Sequence, residues 1–430
     1  MTNPARLRRS ISHSCWQRTG LALALLSALA LVTIQPAVAQ TFTVLHDFTG
    51  GADGGNPESA LAVDAGGNLY GTASIGGAGY GLVFKLTHKN SSWVLAPLYT
   101  FQSGSDGSSP FGPLVFGPDG ALYGTTEFGG GGPCRSGTGF LGCGTVFKLT
   151  PPQTVCRSVN CPWTETILYR FQGNSDASYP LSRLTFDGAG NIYGTTFEGG
   201  TTGQGTVYEL VPSNGSWSET ILHSFSGPDG ESPHSEVIFD AAGNLYGTAP
   251  TGGPNTFGVT YELSPSSSGW VETVLYSPPG WPNPSFPYGG VIFGPVGTLF
   301  GTALGGGTSN EGAVYQLSRS AGGWTSATLA SFSGGDGGPF ASLVMDAAGN
   351  LYGTTEADNG GCGSVFKGTR SGSNWTFSNL KVFQLTEGCF QWGSVVLDAS
   401  GNIYGTSYAG GTYTCFAGDG GCGTVWEITP

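Results

Sequence analysis

The chain has 430 residues, of which only 10% are Asp, Glu, Lys or Arg and 76 are glycine. Its net charge of −13 becomes −17 over residues 40–430, because four of the 15 basic residues (Arg6, Arg8, Arg9 and Arg18) sit in a leader without acidic side chains. That balance excludes nucleic acid and anionic membrane as partners, since both would be repelled, and the glycine content excludes a mainly helical fold.

The first 39 residues read as a signal peptide: the arginines precede an apolar run from Leu21 to Val32, and Ala37-Val38-Ala39 supplies small residues for cleavage. The run is short for a membrane span. The Arg8-Arg9 pair leaves the general secretory and twin-arginine routes both open. No later stretch has the length and apolarity of an anchor, so a soluble chain, secreted or periplasmic, is expected.

After the leader, one phrase returns seven times, at Asn68–Thr72, Leu122–Thr125, Asn191–Thr195, Asn244–Thr248, Leu299–Thr302, Asn350–Thr354 and Asn402–Thr406. Its aromatic residue stands at 70, 123, 193, 246, 300, 352 and 404, so five gaps are 52 to 54 residues and the second is 70. A period near 50 built from short strands predicts propeller blades. In the fourth copy the strands are Glu236–Asp240, Leu245–Ala249, Gly258–Leu263 and Trp270–Tyr276, with the turn Asp240–Asn244 after the first. The mature chain opens out of phase, with Thr41–Phe48 matching a fourth strand, and ends at Gly423–Pro430, which matches a third. The prediction is an all-β, seven-bladed propeller of four-stranded antiparallel blades over residues 40–430. The N-terminal strand would pair into the last blade and leave no open edge.

In such a ring the loops joining second and third strands share a face, here called the top, with the blade-to-blade loops. Eight cysteines follow the leader, an even number that suggests disulfides in an exported chain. Cys134 with Cys143 and Cys415 with Cys422 each fall in one top loop, Cys156 with Cys161 in one bottom loop. Cys362 and Cys389 lie in top loops close enough for the geometry to permit a bridge. None forms a C-x-x-C pair, so no thiolate metal site is expected.

The unit D-a-a-G-N-L-Y-G-T…G-G…G-T-V-F/Y-x-L, seen in Gly144–Phe147, Gly205–Tyr208 and Gly423–Trp426, resembles the GloVer-type tandem repeat of exported bacterial proteins over essentially all of residues 40–430. The D-x-x-G-N-x-Y part is also similar to the turn and strand of NHL-type propellers, which mostly bind partners. The resemblance implies a fold and no particular activity.

A feature present in most blades is more economically structural, and one present once is the better functional candidate. Asp64, Asp187, Asp240, Asp346 and Asp398 open a turn that could offer calcium a carboxylate, but one carboxylate per turn reads as an Asx-type turn; no cofactor is expected. Asp53, Asp106, Asp176, Asp229 and Asp336 precede loop prolines and would form an acidic crown for a cation or a basic ligand, with turn chemistry as the bland reading. Trp93, Trp163, Trp217, Trp270, Trp324 and Trp375 read as blade packing, as does Tyr-Gly-Thr. The unrepeated aromatics Trp281, Phe286 and Tyr288 in one blade-to-blade loop, and Phe390 and Trp392 in another, are candidate stacking anchors, with Phe140, Tyr413 and Phe416 near them in top loops. Glu127, Glu198 and Glu356 follow Tyr-Gly-Thr and are the carboxylates a glycan-cleaving enzyme would use. No nucleophile, zinc or phosphate-loop signature is present.

These residues predict a secreted, monomeric, non-catalytic binding or scaffold propeller. Its top face would take extracellular carbohydrate or a surface protein through Trp281, Phe286, Tyr288, Phe390 and Trp392, helped by Asp53, Asp106, Asp229 and Asp336. The alternatives are a glycan-processing enzyme and a purely structural envelope protein.

Overall fold

Seven four-stranded antiparallel sheets follow one another between Thr41 and Thr429, as the seven phrases require. The computed structural model describes residues 40–430 except 136–138, 153–162, 335–336, 357–359 and 416–419. The leader, the Cys156–Cys161 pair, Asp336 and Phe416 lie outside the described residues. Blade 4 runs Ile238–Phe239, Leu245–Ala249, Val259–Ser266, Gly269–Tyr276 in spatial as in chain order. Thr41–Asp47 pairs antiparallel with Thr424–Thr429, with Thr41 opposite Thr429, and so supplies the fourth strand of blade 7 and closes the ring. A single short 3-10 turn, Pro295–Gly297, is the one helical element among the described residues, and none of their helices is long and apolar enough to cross a membrane.

The phrase explains itself strand by strand. Asp240 Oδ1 accepts the backbone N–H groups of Ala242 at 2.8 Å and Asn244 at 2.9 Å, while Oδ2 accepts Asn244 Nδ2 at 2.8 Å and the Tyr246 hydroxyl at 3.2 Å. The carboxylate is thereby occupied in holding the turn, and Asp64, Asp187, Asp346 and Asp398 repeat the arrangement. The glycine of Tyr-Gly-Thr lies opposite the third-strand aromatic, as Gly124 opposite Phe147. A methyl group on Gly124 would stand 2.7 Å from Phe147 Cζ, so the ring covers the space that a side chain would take.

The core is divided into seven apolar clusters, one at each junction between neighbouring blades. Each repeated tryptophan packs on the phrase aromatic of the preceding blade: Trp163 lies 6.0 Å from Tyr70, Trp93 6.2 Å from Tyr404, and Trp375 5.5 Å from Phe300. The packing reading of these residues therefore holds.

The first strand predicted for blade 4 is longer than the one observed. Glu236–Asp240 shrinks to Ile238–Phe239 because the residues before it are bonded to blade 3 instead. Ser232 N–H donates to Gln204 O at 2.8 Å, and Thr195 Oγ1 donates to Ser235 O at 2.9 Å. The same stitch recurs round the ring. The residue before the loop proline is left-handed, with φ between +51° and +60° at Asn56, Ser109, Tyr179, Ser232 and Phe286 and at Phe390, which precedes Gln391. The proline then packs on the glycine that opens the third strand of the previous blade. A methyl on Gly81, Gly144, Gly205, Gly258 or Gly423 would lie 2.5–2.6 Å from the Cδ of Pro110, Pro180, Pro233, Pro287 or Pro57.

Blade-to-blade and second-to-third-strand loops share one face, joined by the bridges Gly55 to Ile75, Ser108 to Phe128, Glu231 to Thr251, Ser285 to Gly305 and Cys389 to Ala409. Cys134–Cys143, Cys362–Cys389 and Cys415–Cys422 are disulfide-bonded on that face, as the loop assignment anticipated. Such bridges fit an oxidising, extracellular or periplasmic environment.

The stitch makes a direct prediction. Gly258 (φ +86°) has both a left-handed backbone and the Pro287 contact, whereas Gly215 (φ +83°) has the backbone alone and open space beyond it. Gly258→Ala should cost about 3 kcal/mol and Gly215→Ala about 1 kcal/mol in urea unfolding; equal losses would remove the steric part of the stitch.

Candidate functional site

The backbone of each blade-to-blade loop is clamped on both sides of its proline, or of Gln391 in the last loop, so the next side chain has one direction open to it, the ring axis. Those residues are Glu58, Phe111, Leu181, His234, Tyr288, Phe340 and Trp392, one from each blade, and all seven line one axial cavity of about 70 Å³ at the top. The residues that follow are small, Ser59, Gly112, Ser182, Ser235, Gly289, Ala341 and Gly393, which lets seven loops converge. A second circle comes from the residue after the second strand, including Ser74, Glu127, Phe197, Glu356 and Tyr408.

The two circles touch through rings. Tyr288 stacks on Phe340 at 4.8 Å, Phe340 lies 6.2 Å from Trp392, and Trp392 stacks on Tyr408 at 4.3 Å. The result is a continuous aromatic arc, half-buried, round part of the mouth. Trp392 is held by its indole N–H, which donates to Glu356 Oε2 at 3.1 Å.

His234 closes the arc. Its imidazole contacts the edges and faces of Phe111, Phe197, Tyr288 and Phe340 at 5.5–5.9 Å. It makes no hydrogen bond to any described residue, although it retains some surface on the cavity. Burial pushes its pKa down to about 4, so above pH 5 it is a neutral donor and acceptor.

Across the mouth, Glu58 accepts a 2.7 Å hydrogen bond from Ser74 Oγ. Burial pushes its carboxyl up to about 8; the Ser74 bond opposes the rise and the charge of Glu127 adds to it. Burial alone pushes Glu127 up to about 7. Below the mouth, Ala60, Arg183, Glu236, Ser342 and Ser394 line both this cavity and a second one. The second cavity has a volume of about 610 Å³ and is lined by first-strand residues such as Val115, Ile238, Ile292, Val344 and Val396.

The anticipated site residues separate into groups. Tyr288 and Trp392 meet at the mouth. Phe286 and Phe390 are the left-handed residues two positions earlier, where Phe286 packs on Phe257 at 5.7 Å and Phe390 lies 6.0 Å from Trp392. Trp281 is 64% exposed on its loop and does not line the cavity. Phe140 stacks on Phe128 at 5.3 Å, and Tyr413 is exposed.

The described crown aspartates stand beside the outermost strands, each with at least one carboxylate oxygen engaged by its own loop and the adjoining strand, while Asp106 Oδ1 is buried without a hydrogen-bond partner among the described residues. Asp53 accepts Thr49 N–H at 3.0 Å and lies 3.1 Å from His46 Nε2; Asp106 accepts Gln102 N–H at 2.9 Å and the Tyr99 hydroxyl at 3.1 Å; Asp229 accepts Ser226 N–H at 2.8 Å and lies 3.0 Å from His223 Nε2. Glu127 and Glu356 occupy equivalent places, but Glu198 is one residue later, and strand alternation turns it outward to solvent. Glu58, His234, Phe340 and Tyr408 went unnoticed as site residues. The signal that could have found them is a non-repeated side chain at a fixed offset from a repeated proline or Tyr-Gly-Thr.

A family model described as the Gloeobacter/Verrucomicrobia repeat matches residues 30–155, 132–357 and 271–430. No curated protein sequence matches the chain. Among solved structures, a polysaccharide lyase, the PL25 ulvan lyase, is 11% identical over 90% of this chain and 95% of its own, with a TM-score of 0.51. PorZ of Porphyromonas gingivalis, a surface component of the type-IX secretion system, is 15% identical over 87% of this chain, with a TM-score of 0.49; this chain spans only 46% of it. At such identities the likeness concerns the fold.

The titration of Glu58 has a stability consequence. Its folded pKa of about 8 exceeds the ordinary 4.5, so the folded state holds more protons and stability falls as pH rises from 4.5 to 8. Glu58→Gln keeps a partner for Ser74 and removes the titration. Its melting temperature should exceed that of the unaltered protein by about 4 °C at pH 8 and match it near pH 4.5; a pH-independent difference would refute the assignment.

Proposed function

The chain belongs to the Gloeobacter/Verrucomicrobia repeat family, and we propose that it is an exported binding propeller that takes extracellular carbohydrate at its top axial mouth. The observation that carries this reading is the arc Tyr288–Phe340–Trp392–Tyr408 ending at an imidazole without a hydrogen-bond partner among the described residues. Flat rings receive the apolar C–H face of a sugar. The imidazole has one donor and one acceptor for hydroxyl groups that would otherwise leave it unsatisfied. The cavity holds a few water molecules at most, so a glycan lies across the mouth and lowers one substituent into it. Trp281, on the same face, would extend the platform for a longer chain, while Asp53, Asp106 and Asp229 brace the loops that carry it.

Glycan cleavage is the weaker reading. The two strand-end carboxyls of the second circle, Glu127 and Glu356, belong to blades 2 and 6, and Glu198 turns away from them. One of the pair is engaged by the Trp392 indole.

Retention of the purified protein on a panel of insoluble polysaccharides tests the proposal. Trp392→Ala should abolish retention, and Trp281→Ala should weaken it by less than about threefold. His234→Leu, which copies Leu181 of blade 3, should leave the melting temperature unchanged or raised while affinity falls about tenfold. Retention that survives Trp392→Ala, or is absent from every polysaccharide, would refute the site.

A further inference from the structure

The cavity under the mouth has a volume of about 70 Å³, which admits one small substituent and excludes a sugar ring. The rings of Phe111, Tyr288 and Phe340, which line it, stand 5.9, 5.6 and 5.5 Å from the imidazole of His234. A group that enters beside the imidazole therefore meets apolar surface as well. The serines of the wall already have partners. Ser59 Oγ lies 2.8 Å from Thr72 Oγ1, and Ser235 Oγ lies 2.9 Å from Thr248 Oγ1. Ser182 Oγ accepts Thr195 N–H at 2.9 Å, Ser342 Oγ accepts Gly290 N–H at 2.9 Å, and Ser394 Oγ donates to Ser342 O at 2.7 Å. The imidazole has no hydrogen-bond partner among the described residues, and its neutral form presents one N–H donor and one acceptor nitrogen.

The entering group must then be small, must satisfy an imidazole and must cover aromatic surface. A hydroxyl satisfies the imidazole and leaves the rings bare. A methyl covers the rings and leaves the imidazole unsatisfied. A protonated amine has donors only, so the imidazole N–H stays without an acceptor. An acetamido group meets all three demands: its C=O can accept from the imidazole N–H, its own N–H is a donor, and its methyl packs against the rings. The reach is also right. Phe340 belongs to both halves of the site, 5.5 Å from His234 and 6.2 Å from Trp392. A pyranose lying on the arc has His234 one aromatic ring away, within reach of a substituent on its own ring.

We propose that the top mouth selects N-acetylated amino sugars, the acetamido group entering the axial cavity beside His234 while the sugar ring lies on the arc Tyr288–Phe340–Trp392. This rests on the carbohydrate reading above and names the ligand class of the same site. A site built to engage both the polar and the apolar part of a substituent rejects analogues that lack either.

The test is calorimetric binding of oligosaccharides of equal length to the purified protein: N-acetylglucosamine, N-butanoylglucosamine, glucosamine and glucose. The N-acetylated oligomer should bind about tenfold tighter than the glucosamine and glucose oligomers. The N-butanoyl oligomer keeps the amide and outgrows the cavity, so it should fall to the level of glucose. Two variants, each checked for its melting temperature, place the group. His234→Leu removes the polar partner, and Leu181→Phe, which copies Phe111 and Phe340 of other blades, fills the cavity from the same circle. In both, the N-acetylated and glucose oligomers should bind alike, whereas loss of structure alone would weaken every ligand equally. Equal affinity for the N-acetylated, glucosamine and glucose oligomers in the unaltered protein overturns the selectivity and leaves the carbohydrate reading standing. N-butanoyl binding as tight as N-acetyl binding, or a preference that survives both variants, overturns the placement in the cavity. Binding of no oligosaccharide overturns this proposal and the carbohydrate reading together.

Discussion

The left-handed residue and its proline, pressed against a glycine of the preceding blade, are the constraint on which the rest of this ring depends. The contact leaves no room for a side chain at the glycine, and the proline fixes the loop's direction. The N–H and C=O of the left-handed residue are bonded to neighbouring loops: Tyr179 donates to Cys143 O at 2.9 Å and accepts from Phe197 N at 3.0 Å. Just inside, hydroxyl groups of the phrase threonines cross to the next blade, as Thr248 to Gly289 O at 3.1 Å and Thr302 to Ala341 O at 2.8 Å. Apolar burial between blades supplies the cohesion; the stitches set the angle at which each blade meets the next.

A backbone held so firmly frees the side chain that follows. Its identity matters little to the stitch, which is why one position accommodates Glu58, Leu181, His234 and Trp392 in different blades. Function and fold are thereby separated along the loop: proline and the small residue are architectural, and the side chain between them is available for recognition. The same separation accounts for an imidazole among aromatic rings that has no hydrogen-bond partner among the described residues, an arrangement whose polar atoms cost desolvation that the ring contacts offset only in part.

Much of the ring was legible in the chain because the signals are local and repeated. Asp-x-x-Gly-Asn is a turn wherever it occurs, the out-of-phase ends dictate that Thr41–Asp47 completes blade 7, and loop assignment brought Cys362 to Cys389 across 27 residues. The site was legible only in part. Tyr288 and Trp392 stood out by being aromatic and unrepeated, but the same criterion picked Trp281, which points to solvent. Glu198 was grouped with Glu127 although one residue of offset reverses its face. His234 and Glu58 were passed over because convergence on an axis is a long-range property: residues 176 positions apart meet only after seven blades have closed. The aspartates beside the prolines suggested a crown because sequence displays the carboxyl groups and conceals the fourth-strand tyrosines and histidines that engage them.

The central claim is that clamped loops deliver their variable side chains to one axial recognition site. A crystal structure of the protein with a bound oligosaccharide tests it most directly. Density for a sugar stacked on Trp392, with a polar substituent within hydrogen-bonding distance of the His234 imidazole, is the predicted result. A sugar bound at Trp281 alone, or in the wider cavity at the opposite end of the axis, would contradict it.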